Sequence, residues 1–167
     1  MTLDELNRCT DERFHTALAG LFEHSPWVAE RVVALRPFAS VGALHAAMCA
    51  VVANAGAVAQ MALIRAHPQL AGKAAIRGEL TASSRNEQRG AGLDQCTPEE
   101  FAEITRLNAD YDARFGFPFI LAVKGQTRSS ILANMRARLG HERDAEIAEA
   151  LNQIERIARF RLDALLS

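Results

Sequence analysis

One candidate for proton-transfer chemistry is the histidine of the pair His67–Pro68. Proline disfavours helical geometry in the residue before it, so the helix that carries Met61 and Ile64 is predicted to end at His67. The imidazole would then lie at the mouth of a site, and an imidazole can exchange a proton near neutral pH. The residue type alone does not establish catalysis, because the chain has five histidines and His45 lies in an apolar helical pattern that predicts a buried core histidine.

A second candidate is Arg161, which interrupts the apolar face of the last predicted helix, from about Arg143 to Leu166. Seven residues separate Ile147 from Ile154 and Ile154 from Arg161, so the three side chains fall on one stripe that faces the core. Arginine stays charged, and burying it without a partner is costly. The side chain must therefore extend to solvent, pair with a carboxylate of the same chain, or bind an anionic ligand. The sequence leaves these three alternatives open.

A third candidate is the polar segment from Ser84 to Gln88, at the end of an irregular stretch that is rich in turn-forming residues. Ser84 and Glu87 have the spacing of a capping box, which predicts that they begin a short helix. The amide of Gln88 can both donate and accept, so it also suits the polar ring of a binding site. From these residues alone, helix capping is the simpler interpretation.

The elements that position these residues are predicted to be helices. Apolar residues recur at spacings of three and four, and no segment of strand length alternates between apolar and polar residues. The segment Thr97 to Glu100, with proline in second place, predicts a helix start, and Gly116 predicts the end of the same helix. Ser25 and Ser40 precede two further helical patterns. No linker or internal repeat divides the chain, so we expect an all-α fold, a single-domain helical bundle over residues 1–167.

An exception to the helical pattern lies at residues 117–123, where the sequence reads Phe-Pro-Phe-Ile-Leu-Ala-Val. Proline favours extended geometry in its predecessor, and the residues that follow are mostly aromatic, branched or large. These features predict a buried extended connector from the helix that ends near Gly116 to one that starts near Thr127. Buried backbone outside regular structure needs hydrogen-bond partners, which either a ligand or ordinary packing could supply.

Composition and motif content exclude several classes of function. The 167 residues carry a formal net charge of −1, which gives no general field for binding nucleic acid. No apolar run is long enough for a bilayer, and the spacing of Cys9, Cys49 and Cys96 fits neither disulfides nor a metal knuckle, which favours the cytoplasm. The chain lacks a His-Glu-x-x-His motif, a phosphate-binding glycine loop and a nucleophile elbow. Chemistry without a cofactor is therefore expected.

Five motifs occur in a distinctive order along the chain. They are Ser25-Pro26-Trp27, His67-Pro68-Gln69-Leu70-Ala71-Gly72, Ser84-x-x-Glu87-Gln88, Tyr111-x-x-x-Phe115-Gly116-Phe117-Pro118-Phe119 and Arg161-Leu162. In order and separation they resemble the OHCU decarboxylases, a family of urate breakdown, over nearly the whole chain. The resemblance implies an all-helical fold that converts 2-oxo-4-hydroxy-4-carboxy-5-ureidoimidazoline (OHCU) to (S)-allantoin with loss of carbon dioxide. It also implies that no metal or organic cofactor is used.

Carried over motif by motif, the resemblance implies three catalytic residues. His67 would be the proton donor, and Glu87 and Arg161 would act on the same small substrate. The resemblance thus favours a catalytic role over helix capping for Glu87, and over an internal salt bridge for Arg161. The residues implied around the substrate are Pro68, Ser84, Arg85, Asn86, Glu87, Gln88, Phe119, Ile120, Leu121, Ala122, Val123 and Arg161. A homodimer is a further family-based expectation, and Phe160, which points away from the Arg161 stripe, is a candidate subunit contact.

Two other classes of function stay open at this point. A helical binding protein could hold a ureide or purine-like anion without turning it over, and a structural module could use the Phe160 side as an interaction surface. The joint presence of His67, Glu87, Gln88 and Arg161 favours the enzyme over both.

Overall fold

A computed structural model that describes residues 1–167 contains ten α-helices and no β-strand, which confirms the all-α prediction. The helices are α1 (Leu3–Arg8), α2 (Asp11–Leu18), α3 (Trp27–Val32), α4 (Val41–Ala53), α5 (Ala57–Ala66), α6 (Lys73–Ile76), α7 (Ala82–Gly90), α8 (Pro98–Phe115), α9 (Arg128–Arg138) and α10 (Arg143–Leu165). Two short 3₁₀ turns span Val33–Leu35 and Leu93–Gln95. No single helix has both the length and the apolar character to cross a membrane, whereas α4 and α5, bent by 115° at their junction, meet those criteria as a pair.

The chain packs into two compact units, one formed by residues 1–66 with 155–167 and the other by residues 67–154. The expectation of one domain over residues 1–167 stays a prediction. In the first unit, α4 begins after Ser40 as predicted, because the Ser40 hydroxyl accepts a hydrogen bond from the N–H of Ala43. Its buried face carries Leu44, Met48 and Val52, which repeat at the helical spacing of four.

The second unit is organised around α8, whose two ends agree with the sequence. Thr97 caps the first turn and forms a reciprocal capping box with Glu100, and Pro98 occupies the first helical position. The helix ends at Gly116, whose φ of +77° lies in the left-handed region that glycine adopts without steric cost. Its buried face is the stripe of Ile104, Leu107, Asn108, Tyr111 and Phe115.

The start of α7 differs from the capping prediction. The helix begins at Ala82, and its cap is Thr81, whose hydroxyl accepts from the N–H of Ser84 at 3.2 Å. Ser84 therefore lies inside the first turn and does not cap it. The capping-box interpretation of Ser84 and Glu87 is therefore wrong. In such a box the Glu87 side chain would accept from the N–H of Ser84, and Thr81 already accepts from that N–H.

The connector, residues 117–123, is non-helical and buried, as the sequence predicts. The side chains of Phe117, Phe119, Ile120, Leu121 and Val123 are each at most 6% exposed. A segment of this kind has no ladder of backbone hydrogen bonds of its own, so its position depends on side chains from the neighbouring helices.

Candidate functional site

His67 lies immediately after α5, which ends at Ala66 as the following proline predicts. Only 7% of the His67 side chain is exposed. The residue begins a non-helical loop, residues 67–72, that leads into α6. The sequence therefore positions one buried imidazole at a helix end, where nothing in regular secondary structure fixes the backbone that follows.

Two side-chain amides hold this loop in place. Gln88 on α7 accepts from the N–H of Ala71 at 3.0 Å and donates to the carbonyl of Gln69 at 3.3 Å. Asn108 on α8 donates to the carbonyl of Leu70 at 2.9 Å. Three successive residues after the His67–Pro68 pair are thus fixed by two buried amides, which limits the movement of the imidazole.

The predicted segment on α7 divides into two faces. Ser84 and Gln88 are buried and Glu87 is half-buried, and positions i, i+3 and i+4 lie on one side of a helix. Arg85 and Asn86 are exposed. The structure therefore brings Ser84, Glu87 and Gln88 together on the face that contacts the His67 loop, whereas the side chains of Arg85 and Asn86 point elsewhere.

The polar groups of the connector find partners on two helices. The carbonyl of Ile120 accepts from Nη1 of Arg138 on α9 at 2.6 Å, and the N–H of Ala122 donates to Oε1 of Gln153 on α10 at 3.0 Å. The sequence left open whether packing or a ligand would satisfy such groups. For these two groups the protein's own side chains do so.

Arg161 belongs to the first unit, and its side chain is directed inward as the stripe predicts, with 9% exposed. Its Nη1 donates to Oε2 of Glu23 at 2.8 Å and to the carbonyl of Gly20 at 3.0 Å. Glu23 is itself 3% exposed. Of the three alternatives for this cation, pairing with a carboxylate of the same chain is present. A guanidinium has five N–H donors, so this pairing is compatible with a role toward an anion as well.

A model of the OHCU decarboxylase family matches residues 7–163 of the chain. The chain belongs to the OHCU decarboxylase family. Curated relatives are named as decarboxylases, so the family is one of enzymes. Two relatives show how much of the sequence is shared.

The uric acid degradation bifunctional protein of Bacillus subtilis is 43% identical over 166 residues, which cover 99% of this chain and 33% of that protein. The 2-oxo-4-hydroxy-4-carboxy-5-ureidoimidazoline decarboxylase of Haloferax volcanii is 41% identical over 162 residues, covering 97% of this chain and 94% of that protein. This chain therefore spans about a third of the first relative and nearly all of the second. Among solved structures, (S)-allantoin synthase aligns with a TM-score of 0.82 at 29% identity, over 99% of this chain and 54% of that one.

A Cys–His contact in this family member has the appearance of a nucleophile and its base. The Sγ atom of Cys49 lies 3.5 Å from Nε2 of His45. That nitrogen is also 2.8 Å from the carbonyl of Glu155, and a carbonyl only accepts, so Nε2 carries the proton and cannot take one from the thiol. The other ring nitrogen, Nδ1, lies 3.9 Å from Sγ, which is long for proton transfer. Burial, with the nearby Glu155 charge, raises the pKa of Cys49 to about 12. The pair is therefore structural.

We expect Cys49 to resist alkylation. The raised pKa leaves almost no thiolate near neutral pH, and the thiolate is the reacting species. In the folded protein, iodoacetamide should label Cys49 far more slowly than in denaturant, as measured by peptide mass spectrometry, and Cys49→Ala should retain wild-type activity. Rapid labelling of the folded protein with loss of activity would contradict the structural role.

A surface groove of about 410 Å³ lies beside α7. Its lining includes Arg85, Gln88, Leu80 and Phe101, but not His67 or Glu87. The groove therefore shares only Arg85 and Gln88 with the predicted substrate-binding residues. No group of three or more His, Cys, Asp or Glu side chains is arranged to hold a metal ion.

Several polar residues that hold the site were missed by the sequence analysis. They are Glu23, Asn108, Arg138, Glu146 and Gln153. A signal was available for Asn108, because positions 104, 108, 111 and 115 form one buried stripe and a polar residue on it needs a partner. The partner itself, the Leu70 carbonyl, has no local signature in the sequence.

Proposed function

We propose that this protein is a carboxy-lyase that converts OHCU to (S)-allantoin in urate degradation, without a cofactor. The observation that carries the proposal is the clamp on the His67 loop. Gln88 bonds both Gln69 and Ala71, so a buried imidazole and the helix face that bears Glu87 belong to one local assembly. Family membership supports the same reaction, because a relative of matching length is named for it and a similar structure is named (S)-allantoin synthase.

The reaction does not need an external electron sink. When the bond between C4 and the carboxylate breaks, its electron pair forms a C4=C5 double bond, and the neighbouring C5=N bond of the imidazoline accepts the charge on its nitrogen. Loss of carbon dioxide leaves an enol at C4. Its 4-hydroxyl loses a proton to become the C4 carbonyl of allantoin, and a proton must be added to C5, the ring carbon that bears the ureido group. The protein's tasks are to hold the substrate, to stabilise the developing charge and to deliver the proton to one face.

We assign these tasks to three residues. Arg161 fixes a substrate carbonyl or carboxylate and offsets the developing negative charge, and Glu23 orients its guanidinium. Glu87 accepts a hydrogen bond from the 4-hydroxyl and disfavours the neighbouring carboxylate by like-charge repulsion, which assists its departure. His67 donates the proton, and its fixed position sets the handedness of the product.

The remaining predicted residues surround the substrate in this proposal. Pro68, Ser84 and Gln88 orient the ring, and the connector supplies backbone groups and apolar surface to the ureido side. Arg85 and Asn86 have exposed side chains, so in this proposal they border the solvent side of the site.

The deciding experiment is circular dichroism of the allantoin formed from freshly generated OHCU. OHCU decays spontaneously to racemic allantoin, so product formation alone is not diagnostic. With the protein present, we expect accelerated decay and a one-handed dichroic signal. Racemic product at the uncatalysed rate would refute the proposal, and saturable binding without acceleration would instead indicate a binding protein.

We further propose that the protein acts in the cytoplasm as a homodimer. The free cysteines, all half-buried, support a reducing compartment. Light scattering should then give a mass of twice 18.2 kDa, and a monomeric mass at working concentration would contradict the dimer. Phe160→Asp tests its predicted contact, because a buried charge at a subunit interface would favour the monomer.

A further inference from the structure

The ion pair of Arg138 and Glu146 lies outside the residues proposed to touch the substrate, yet it contacts the connector. Arg138 ends α9 with 5% of its side chain exposed, and Glu146 lies in the first turn of α10 with 0% exposed. Nε of Arg138 donates to Oε1 of Glu146 at 2.8 Å, and Nη1 donates to the carbonyl of Ile120 at 2.6 Å. One planar guanidinium therefore joins two helices to the middle of the connector.

The carboxylate of Glu146 is held on its other sides. The hydroxyl of Tyr111 on α8 donates to Oε1 at 2.5 Å, and Nδ1 of His141 lies 2.9 Å from Oε2. Burial and the hydrogen bond to Glu146 raise the pKa of Tyr111, so its hydroxyl remains a donor. Glu146 thus has three side-chain partners and leaves the Arg138 guanidinium little freedom to rotate.

The same guanidinium also fixes an aromatic ring of the connector. Its central carbon lies 4.3 Å from the centre of the Phe119 ring. The ring of Tyr111 packs edge-on against Phe119 at 5.4 Å. Arg138 therefore constrains both the Phe119 side chain and the backbone carbonyl of the next residue, Ile120.

Stability alone gives little reason for a charge pair at this position. A well-packed apolar pair of similar volume is often at least as stable as a buried ion pair, because both charges lose their hydration. Nη2 of Arg138 is also buried and has no hydrogen-bond partner, which adds to the cost. What an apolar pair cannot do is donate a directed hydrogen bond to the Ile120 carbonyl.

We propose that the buried Arg138–Glu146 pair positions the substrate-binding connector, so that Arg138 is a positioning residue for Phe119 and Ile120. The inference rests on the proposed function, because it takes the connector as part of the substrate site. The inference goes further than the proposed function in one respect. It requires that a variant in which uncharged residues replace the Arg138–Glu146 pair binds substrate less well even when it folds normally.

The test uses two variants, one that keeps the charge of Arg138 and one that removes both charges of the pair. Arg138→Lys keeps the charge opposite Glu146 but loses the planar fork that reaches Ile120 at the same time. Arg138→Met combined with Glu146→Gln removes both charges while leaving an acceptor for the Tyr111 hydroxyl, so the double variant avoids an uncompensated buried carboxylate. Arg136→Met is the matched control, because Arg136 lies on the same helix as Arg138 and its ion pair with Glu103 of α8 is half-exposed.

Two measurements are made on each variant. Hydrogen–deuterium exchange of a peptide covering residues 117–123 reports whether the connector has loosened, and it does not depend on activity. Steady-state kinetics with OHCU report binding and turnover. In both Arg138 variants we expect faster exchange and a loss of about 10²-fold in kcat/KM, carried mainly by KM, because a misplaced connector weakens substrate binding. The Arg136 variant should match the wild type in both.

A merely structural role gives a different pattern. Partial unfolding lowers the concentration of active enzyme, so apparent kcat falls while KM stays unchanged. That pattern, or unchanged exchange in the connector, would overturn the inference, as would faster exchange with unchanged KM. Failure of the proposed function would instead appear in the wild type as the absence of one-handed allantoin, with the exchange difference between variants still measurable.

Discussion

His67→Asn is expected to lower kcat for OHCU decarboxylation by about 10²- to 10⁴-fold, the usual contribution of a positioned general acid. Asparagine keeps much of the volume and polarity of the imidazole but cannot deliver a proton near neutral pH. The residual product should also lose its handedness, because water can protonate C5, the carbon that bears the ureido group, from either face. Single-turnover kinetics with circular dichroism of the product measure both effects.

The control for this variant is His24→Asn. His24 is exposed and has a φ of +47°, a left-handed conformation that asparagine adopts more readily than most residues. This substitution should leave turnover and handedness unchanged. If His67→Asn kept near-normal turnover with one-handed product, another group would be the proton donor and the assignment of His67 would be wrong.

Local signals predicted much of the fold. Both ends of α8 follow from a cap at Thr97 and a glycine at Gly116, since each acts within one turn of the residue that carries it. The start of α7 was placed three residues late because Thr81 and Ser84 are both good caps. Which of two such residues caps the helix depends on where the preceding chain approaches, and this is set by tertiary contacts.

The candidate site was predictable only in part. Arg161 was found because a charge on an apolar stripe is conspicuous, and the structure confirms that it is buried. Its partner Glu23 is 138 positions away, and no short-range rule connects the two. The same holds for Arg138 and Gln153, each of which forms a hydrogen bond with one backbone group of the connector. Sequence patterns identify which residues need partners, whereas the fold decides which residues provide them.

Substitution of Arg161 is expected to have the second large effect on kcat. The ion pair with Glu23 determines how such a variant must be interpreted. Arg161→Gln removes the cation that pairs with the buried carboxylate of Glu23, and breaking a buried pair in this way costs about 3 to 5 kcal/mol. Whole-domain stability is typically about 5 to 15 kcal/mol, so loss of activity in that single variant would not separate catalysis from unfolding.

The informative variants are therefore Arg161→Lys and the double variant Glu23→Gln with Arg161→Gln. Lysine retains the charge opposite Glu23 but cannot reproduce the planar fork, and the double variant removes both charges together. Both should unfold thermally close to the wild type. Both should nevertheless lose about 10²- to 10³-fold in kcat, because the donor that offsets the developing negative charge is gone or misplaced.

Glu23→Gln alone completes the comparison, since it keeps the Arg161 guanidinium and removes only its carboxylate partner. It should retain more activity than either Arg161 variant, because the cation remains available to the substrate while only its orientation is relaxed. If the double variant instead kept wild-type turnover at wild-type stability, Arg161 would serve only to anchor the segment from Gly20 to Glu23. The charge-stabilising role would then have to belong to another residue.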